Sequence, residues 1–294
     1  WAAIRRNETF TIPQLANNGD DRIVIAFDPA NSDGDNSIIS AMKILYDENI
    51  GYYGEIINCT NLIDLSKRKK MNMKSTDQTK YLRQMMIDYS SGAKLYYEGI
   101  EAVLIDAGAG GHGTSYADNL LEDWVGEDGV KRPGIIDRDY PKYKEETGYS
   151  EAKDIARLIS PQKYRTQMVE ELIMLMMADL IKFPKEYNGK PEIPITVDGK
   201  KNNEIDIRYR PLSVEEQVAL INIDIMKTEV TSIHRFGTDI NVRYSLPKEK
   251  EKTHHDDRFY TLIMLAHYLY ELRREDQLNK GKEHFDWTSA PRCV

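Results

Sequence analysis

"RIVIAFDPANSDGDNS", residues 22 to 37, opens as a buried strand and ends on a carboxylate. Five of the six residues from Ile23 to Asp28 are apolar, the pattern of a strand covered on both faces. Asp28 follows at once, then Pro29 and a loop carrying Asp33 and Asp35. A charge at the tip of a central strand is costly to bury without a partner. Asp is also common where strands turn. Only a convergence of further acids separates a functional carboxylate from a turn residue.

Working outward, two more strands are expected, Ser37 to Tyr46 and Tyr52 to Cys59, with turn signals between them that suit an antiparallel meander. Helical spacing of Tyr81, Leu82, Met85, Met86 and Tyr89 predicts a helix capped by Ser75 or Thr76. "EAVLIDAGAGGHG" predicts a fourth strand ending on Asp106, followed by four glycines in six residues. Beyond it, a helix is expected over residues 116 to 125 and a short strand in "DIARLIS". A long helix then runs from Pro161 through Ile181. Residues 184 to 212 read as an irregular insertion. A helix over 213 to 228, a hairpin around "HRFGTDINVRY" and a last helix "DDRFYTLIMLAHYLYELRRE" complete the chain, and residues 1 to 21 read as an arm. Three antiparallel strands followed by alternating helices and strands imply a mixed α/β sheet with helices on its faces.

In this order "VLID" repeats the grammar of "IAFD", so Asp28 and Asp106 emerge at one sheet edge if their strands are neighbours. A third acid comes from the last helix. Its apolar stripe runs through Phe259, Leu262, Ile263, Ala266 and Leu269, and Asp256 falls on that stripe. Asp257 falls about 100° away, which predicts a cap or a pair with Arg258. Clustered carboxylates cannot all stay ionised without a cation. Their hard oxygens suit Mg²⁺ or Mn²⁺ rather than zinc. Two such ions ~4 Å apart can clamp the attacking and leaving oxygens of a phosphodiester.

These residues resemble a known family. "FDPANSDGDNS", "VLIDAGAGGHGTSYADNL" and "HDDRFYTLIMLA", in this order, look like the nuclease domain of phage large terminase subunits, within the RNase H-like (retroviral-integrase-like) superfamily. The resemblance spans residues 22 to 275. It implies an RNase H-like mixed sheet and Mg²⁺ or Mn²⁺, two ions, held by Asp28, Asp106 and Asp256 or its neighbour Asp257. It further implies endonucleolytic cutting of double-stranded DNA by a water nucleophile during viral genome packaging, with Asp35 as a candidate auxiliary ligand. By the same resemblance the partners are an ATPase domain of the same protein, the small terminase subunit and the portal, in the cytoplasm of an infected bacterium. No GxxxxGK[ST] loop occurs in the chain. With its start "WAAIRRNETF", that suggests a fragment: an arm (1–21) after an ATPase domain, a nuclease domain (22–275) and a polar tail (276–294).

Composition bounds the remaining readings. The chain has 294 residues, 40% apolar and 30% charged, which is ample for one substantial core. No apolar run approaches the ~20 residues of a membrane span. Cys59 and Cys293 make no disulfide ladder or zinc module, which points to a reducing compartment. A net charge of −8 argues against a surface wholly wrapped in nucleic acid, but "SKRKKMNMK" is locally basic. Within it Lys67, Arg68, Lys69 and Lys70 are candidate phosphate contacts, with a solvated loop as the alternative. Among the histidines, His254 and His255 flank the third acid and could act on a proton or water. His234 could reach over the site from its hairpin, His112 lies in the Gly-rich turn, and His267 reads as partly buried. Two other readings stay open: a different RNase H-like enzyme such as a junction resolvase or transposase core, and a non-catalytic packaging or docking module.

Overall fold

A computed structural model describes residues 1–30, 36–67, 71–108, 112–146, 148–198, 205–238, 241–250 and 255–283. The chain starts with α1 (Ala2–Arg6) and β1 (Glu8–Phe10), then β2 (Arg22–Asp28), β3 (Ile38–Asp47), β4 (Gly51–Asn61) and α2 (Ser75–Tyr89). β5 (Ile100–Asp106) and α3 (His112–Leu120) follow, then the two-residue strands β6 (Trp124–Val125) and β7 (Lys131–Arg132), β8 (Ala156–Ile159), α4 (Pro161–Met177) and β9 (Ile181–Pro184). A hairpin of β10 (Glu192–Asp198) and β11 (Ile205–Pro211) leads to α5 (Val214–Ser232). The chain then forms β12 (His234–Phe236), β13 (Arg243–Ser245) and the long α6 (Asp257–Glu283).

Seven strands form the central sheet in the order β1-β9-β4-β3-β2-β5-β8. β2, β3 and β4 are the expected antiparallel meander, and β5 adds to β2 in parallel. This is the RNase H-like mixed sheet expected from the sequence. Period-two alternation divides β2 between the two faces. Ile23, Ile25 and Phe27 pack with α2 and α3 residues such as Leu82, Met86 and Tyr116, while Val24 and Ala26 pack with Leu172, Ile263 and Ala266 of α4 and α6. All five are fully buried, because helices cover both faces. Among the described residues, no helix is long and apolar enough to cross a membrane.

Four expectations need correction. The helix placed at 116 to 125 starts earlier, at His112, and ends at Leu120, while Trp124 and Val125 pair with Arg132 and Lys131. The helix placed at 161 to 181 stops at Met177. Asp179 takes a left-handed φ of 58°, and the Leu180 N–H closes back on the Leu175 carbonyl, which turns Ile181 into the sheet. Residues 184 to 212 contain a regular antiparallel hairpin, whose alternating Ile193, Ile195 and Val197 carried a strand signal. The arm is not all irregular: Glu8–Phe10 pairs in parallel with β9 at the sheet edge, and Ile4 is buried in the core.

One glycine is fixed by packing. A Cβ on Gly113 would lie 1.8 Å from the Asp106 carbonyl oxygen, so the first turn of α3 can cross the end of β5 only without a side chain. Gly113→Ala is expected to lower stability by at least ~2 kcal/mol through forced displacement of α3. Urea unfolding of the variant beside the parent checks this.

Candidate active site

Strand register places the first two acids. Phe27 is the Cα partner of Ile105, so Asp28 and Asp106 end adjacent parallel strands, ~5 Å apart by strand spacing. Asp106 Oδ1 accepts the Gly108 N–H at 2.7 Å, and burial raises the Asp106 carboxyl above the ordinary range. A Cβ on Gly108 would stand 2.9 Å from that same oxygen and would press on the Asp106 carboxylate. Beside it, Ala107, Gly108, Ser160, Gln162 and Lys163 line an open cleft of about 440 Å³ where β5 and β8 end and α4 begins.

The last helix supplies the other two acids. α6 starts at Asp257, and Asp256 stands just before it. Asp256 Oδ2 accepts from Arg165 of α4 at 2.7 Å, and Arg165 also donates to the Tyr260 hydroxyl. The guanidinium lies over the Phe259 and Tyr260 rings. Burial pushes the Tyr260 phenol up to about 12. Arg165 opposes that rise, and Asp256, Asp28 and Asp106 add to it. The charges of three carboxylates from three elements thus bear on one hydroxyl, although among the described residues these acids are not a group whose ligand atoms all lie within 4.8 Å of one another.

Asp257, expected as a cap or a partner of Arg258, reaches the loop before β3. Its Oδ2 accepts the Asn36 N–H at 3.1 Å, and the Asn36 side-chain amide donates to the same oxygen. Helix phasing assumed a regular turn through Asp256. The helix begins one residue later, so both acids point inward. Arg258 is buried against Glu229 and Asn222 of α5, and the Phe259 N–H donates to Glu229 Oε2. This buried network fixes the start of α6. Burial pushes the Glu229 carboxyl up to about 7 in spite of Arg258.

The other candidates are distributed around this edge. His255 is exposed, with Nδ1 3.8 Å from Asp257 Oδ2. His234 is exposed and stacks on Phe236, in a hairpin held to α4 by the Thr166 hydroxyl on the Val242 carbonyl, one residue from Arg165. His112 opens α3. Lys67 is exposed in the loop after β4. That loop is closed by Met73 N–H on the Leu62 carbonyl and tied to the acidic edge by Ser37 N–H on Asn72 Oδ1. Asp35, Arg68, Lys69, Lys70 and His254 lie outside the described residues. Asn36 and Tyr260 fall within the stretches "FDPANSDGDNS" and "HDDRFYTLIMLA" without standing out there, and Arg165 lies outside them. The signal available for Arg165 was its place in the first turns of the helix after β8.

The chain thus folds as a mixed sheet with Asp28 and Asp106 at the ends of two adjacent parallel strands and Asp256 just before the last helix. No protein-family model matches the chain, and no curated protein matches it. Among solved structures the chain is similar to the large terminase nuclease from thermophilic phage G20c with bound magnesium, at 14% identity and a TM-score of 0.43, covering 88% of this chain and 92% of that one. It is also similar to the nuclease domain of the large terminase subunit gp2 of bacterial virus Sf6, at 11% identity, TM-score 0.42 and coverages of 85% and 89%. A third is the human cytomegalovirus terminase nuclease domain, soaked in manganese, at 11% identity, TM-score 0.43 and coverages of 92% and 93%.

The Glu229–Arg258 pair generates a prediction. Glu229→Ala leaves a buried guanidinium without its carboxylate, an arrangement that costs about 3–5 kcal/mol. Chemical denaturation is expected to register that loss, and hydrogen exchange to show faster opening of the first turns of α6.

Proposed function

We propose that the chain is a divalent-metal-dependent endonuclease that hydrolyses phosphodiester bonds of double-stranded DNA, of the terminase type. The observation that supports this reading is that Asp28 and Asp106 end two adjacent parallel strands, while Asp256 stands just before the last helix. The donor set is all oxygen and suits Mg²⁺ or Mn²⁺. Partial burial raises the Asp106 carboxyl, and a cation at the edge would favour its ionised form.

Asp28 and Asp106 are the proposed ligands at the strand tips, with Asp256 as the third and Asp257, aligned by Asn36, as its neighbour and alternative. Bound divalent ions would polarise the phosphodiester and lower the pKa of an attacking water. Arg165 keeps Asp256 turned to the edge and presents a guanidinium to an incoming phosphate. The Tyr260 phenol stays protonated at neutral pH and can donate a hydrogen bond there. His255, at the rim beside Asp257, is placed to exchange a proton with solvent. Asn72, five residues after Lys67, accepts the Ser37 N–H next to Asn36, so phosphate contacts from Lys67 would hold duplex along the acidic edge with little base selectivity. Packaging of a viral genome in an infected bacterium is the setting that this reading proposes. Its partners would be an ATPase domain, a small terminase subunit and a portal.

Supercoiled plasmid incubated with Mn²⁺ tests the proposal. Cutting is expected for the parent chain and none for Asp28→Asn or Asp106→Asn, each with an unchanged circular dichroism spectrum. Asp256→Asn is expected to lose at least ~100-fold in rate, about 2.7 kcal/mol of transition-state stabilisation. Asp257→Asn, whose amide oxygen can still accept the Asn36 N–H, is expected to lose less. Full cutting by Asp28→Asn would assign the carboxylates to structure alone.

A further inference from the structure

A second group of ligand-type side chains lies away from the acidic edge, where α4 crosses α6. Glu171 of α4 is almost wholly buried, its side chain 4% exposed, although burying a carboxylate is costly. His267 of α6 meets its Oε2 through Nδ1 at 2.7 Å, and Gln167 donates to Oε1 at 2.8 Å. Glu271 follows His267 by four residues, on the same helix face. One ligand atom from each of Glu171, His267 and Glu271 lies within 4.8 Å of the other two. Among the described residues this is the group of three that closes so tightly. His267 and Glu271 also line an open cleft of about 360 Å³, together with Asp137, Asp139 and Arg157, which provides an entry from solvent.

We propose that Glu171, His267 and Glu271 bind a zinc-class divalent cation that ties α4 to α6. The donor set decides the class. One imidazole with two carboxylates suits Zn²⁺ and its neighbours in the first transition row, whereas the acidic edge offers oxygens alone. Ligand atoms at ~2.0–2.2 Å from one tetrahedral ion stand ~3.4 Å apart. The Glu171–His267 contact therefore opens by ~0.7 Å, and the cation takes the place of the proton shared there. Glu271 must release Arg274, an exposed partner at 2.9 Å that holds it weakly. Gln167 keeps the far oxygen of Glu171 and orients it, as outer partners of metal ligands do. The cleft leaves the fourth position to water. At ~1.5 Å per residue, His267 lies ~15 Å along α6 from Asp257, so the two centres are separate.

The test uses the full chain with Asp28→Asn and Asp106→Asn in place, so that the acidic edge is disabled and DNA cutting plays no part. Zn²⁺ is titrated by calorimetry, and Co²⁺ serves as a spectroscopic probe. One Zn²⁺ per chain is expected, with a rise in melting temperature of at least ~3 °C at saturation and the intense visible absorption of tetrahedral Co²⁺. His267→Gln and Glu271→Gln are each expected to weaken binding at least tenfold, and His267→Gln to abolish the Co²⁺ band. Glu271→Gln alters only a surface pair, so it keeps the test open if His267→Gln fails to fold. Absence of Zn²⁺ binding, or equal affinity in parent and Glu271→Gln, overturns the site and leaves the nuclease reading untouched.

Discussion

The parallel pairing of β2 with β5 is the constraint on which the rest of the structure depends. β2 already carries β3 on its other side, so it is buried on both faces and hydrogen-bonded along both edges. A strand in that position has no freedom to slip, since a shift of one residue would turn Ile23, Ile25 and Phe27 onto the wrong face. The register that satisfies the two cores also sets the tips of β2 and β5 level. Asp28 and Asp106 are thus neighbours because the apolar residues before them have no other way to pack.

Around those tips the chain arranges charge through contacts between elements distant in sequence. α4 delivers Arg165 to Asp256, the loop before β3 delivers Asn36 to Asp257, and α5 delivers Glu229 to Arg258 and the Phe259 N–H. Each of these ties the start of α6 to a different part of the molecule. The start of α6, with Asp256 just before it, is thus held by contacts from three other parts of the fold, as the proposed cation site would require.

Legibility in the sequence followed the range of the interactions. The sheet, both strand-tip acids and the amphipathic helices were readable because they rest on periodicity and on turn residues next to them in the chain. The end of α4 was not, since its stop is a left-handed Asp179, a conformation that no glycine announces. The hairpin β10–β11 was hidden by the Pro, Gly and Lys around it, although its alternation was present. The phase of Asp256 and Asp257 could not be read either. It depends on where α6 begins, and that is set by Glu229 and Asn36, from α5 and from the loop before β3. Arg165 and Tyr260 did not stand out because their contacts are made across the α4–α6 crossing.

The edge strand β1 carries a consequence for how the chain is made. Glu8 finds its partner at Phe183, so β1 leaves the ribosome long before the strand that pairs with it. Until β9 has been synthesised, Ile4 and the open backbone of β1 have nowhere to go, and contacts so remote in sequence close slowly. The segment is short, a three-residue strand that offers little template to a second chain. Biogenesis thus favours an edge strand too brief to misassociate while it waits for β9.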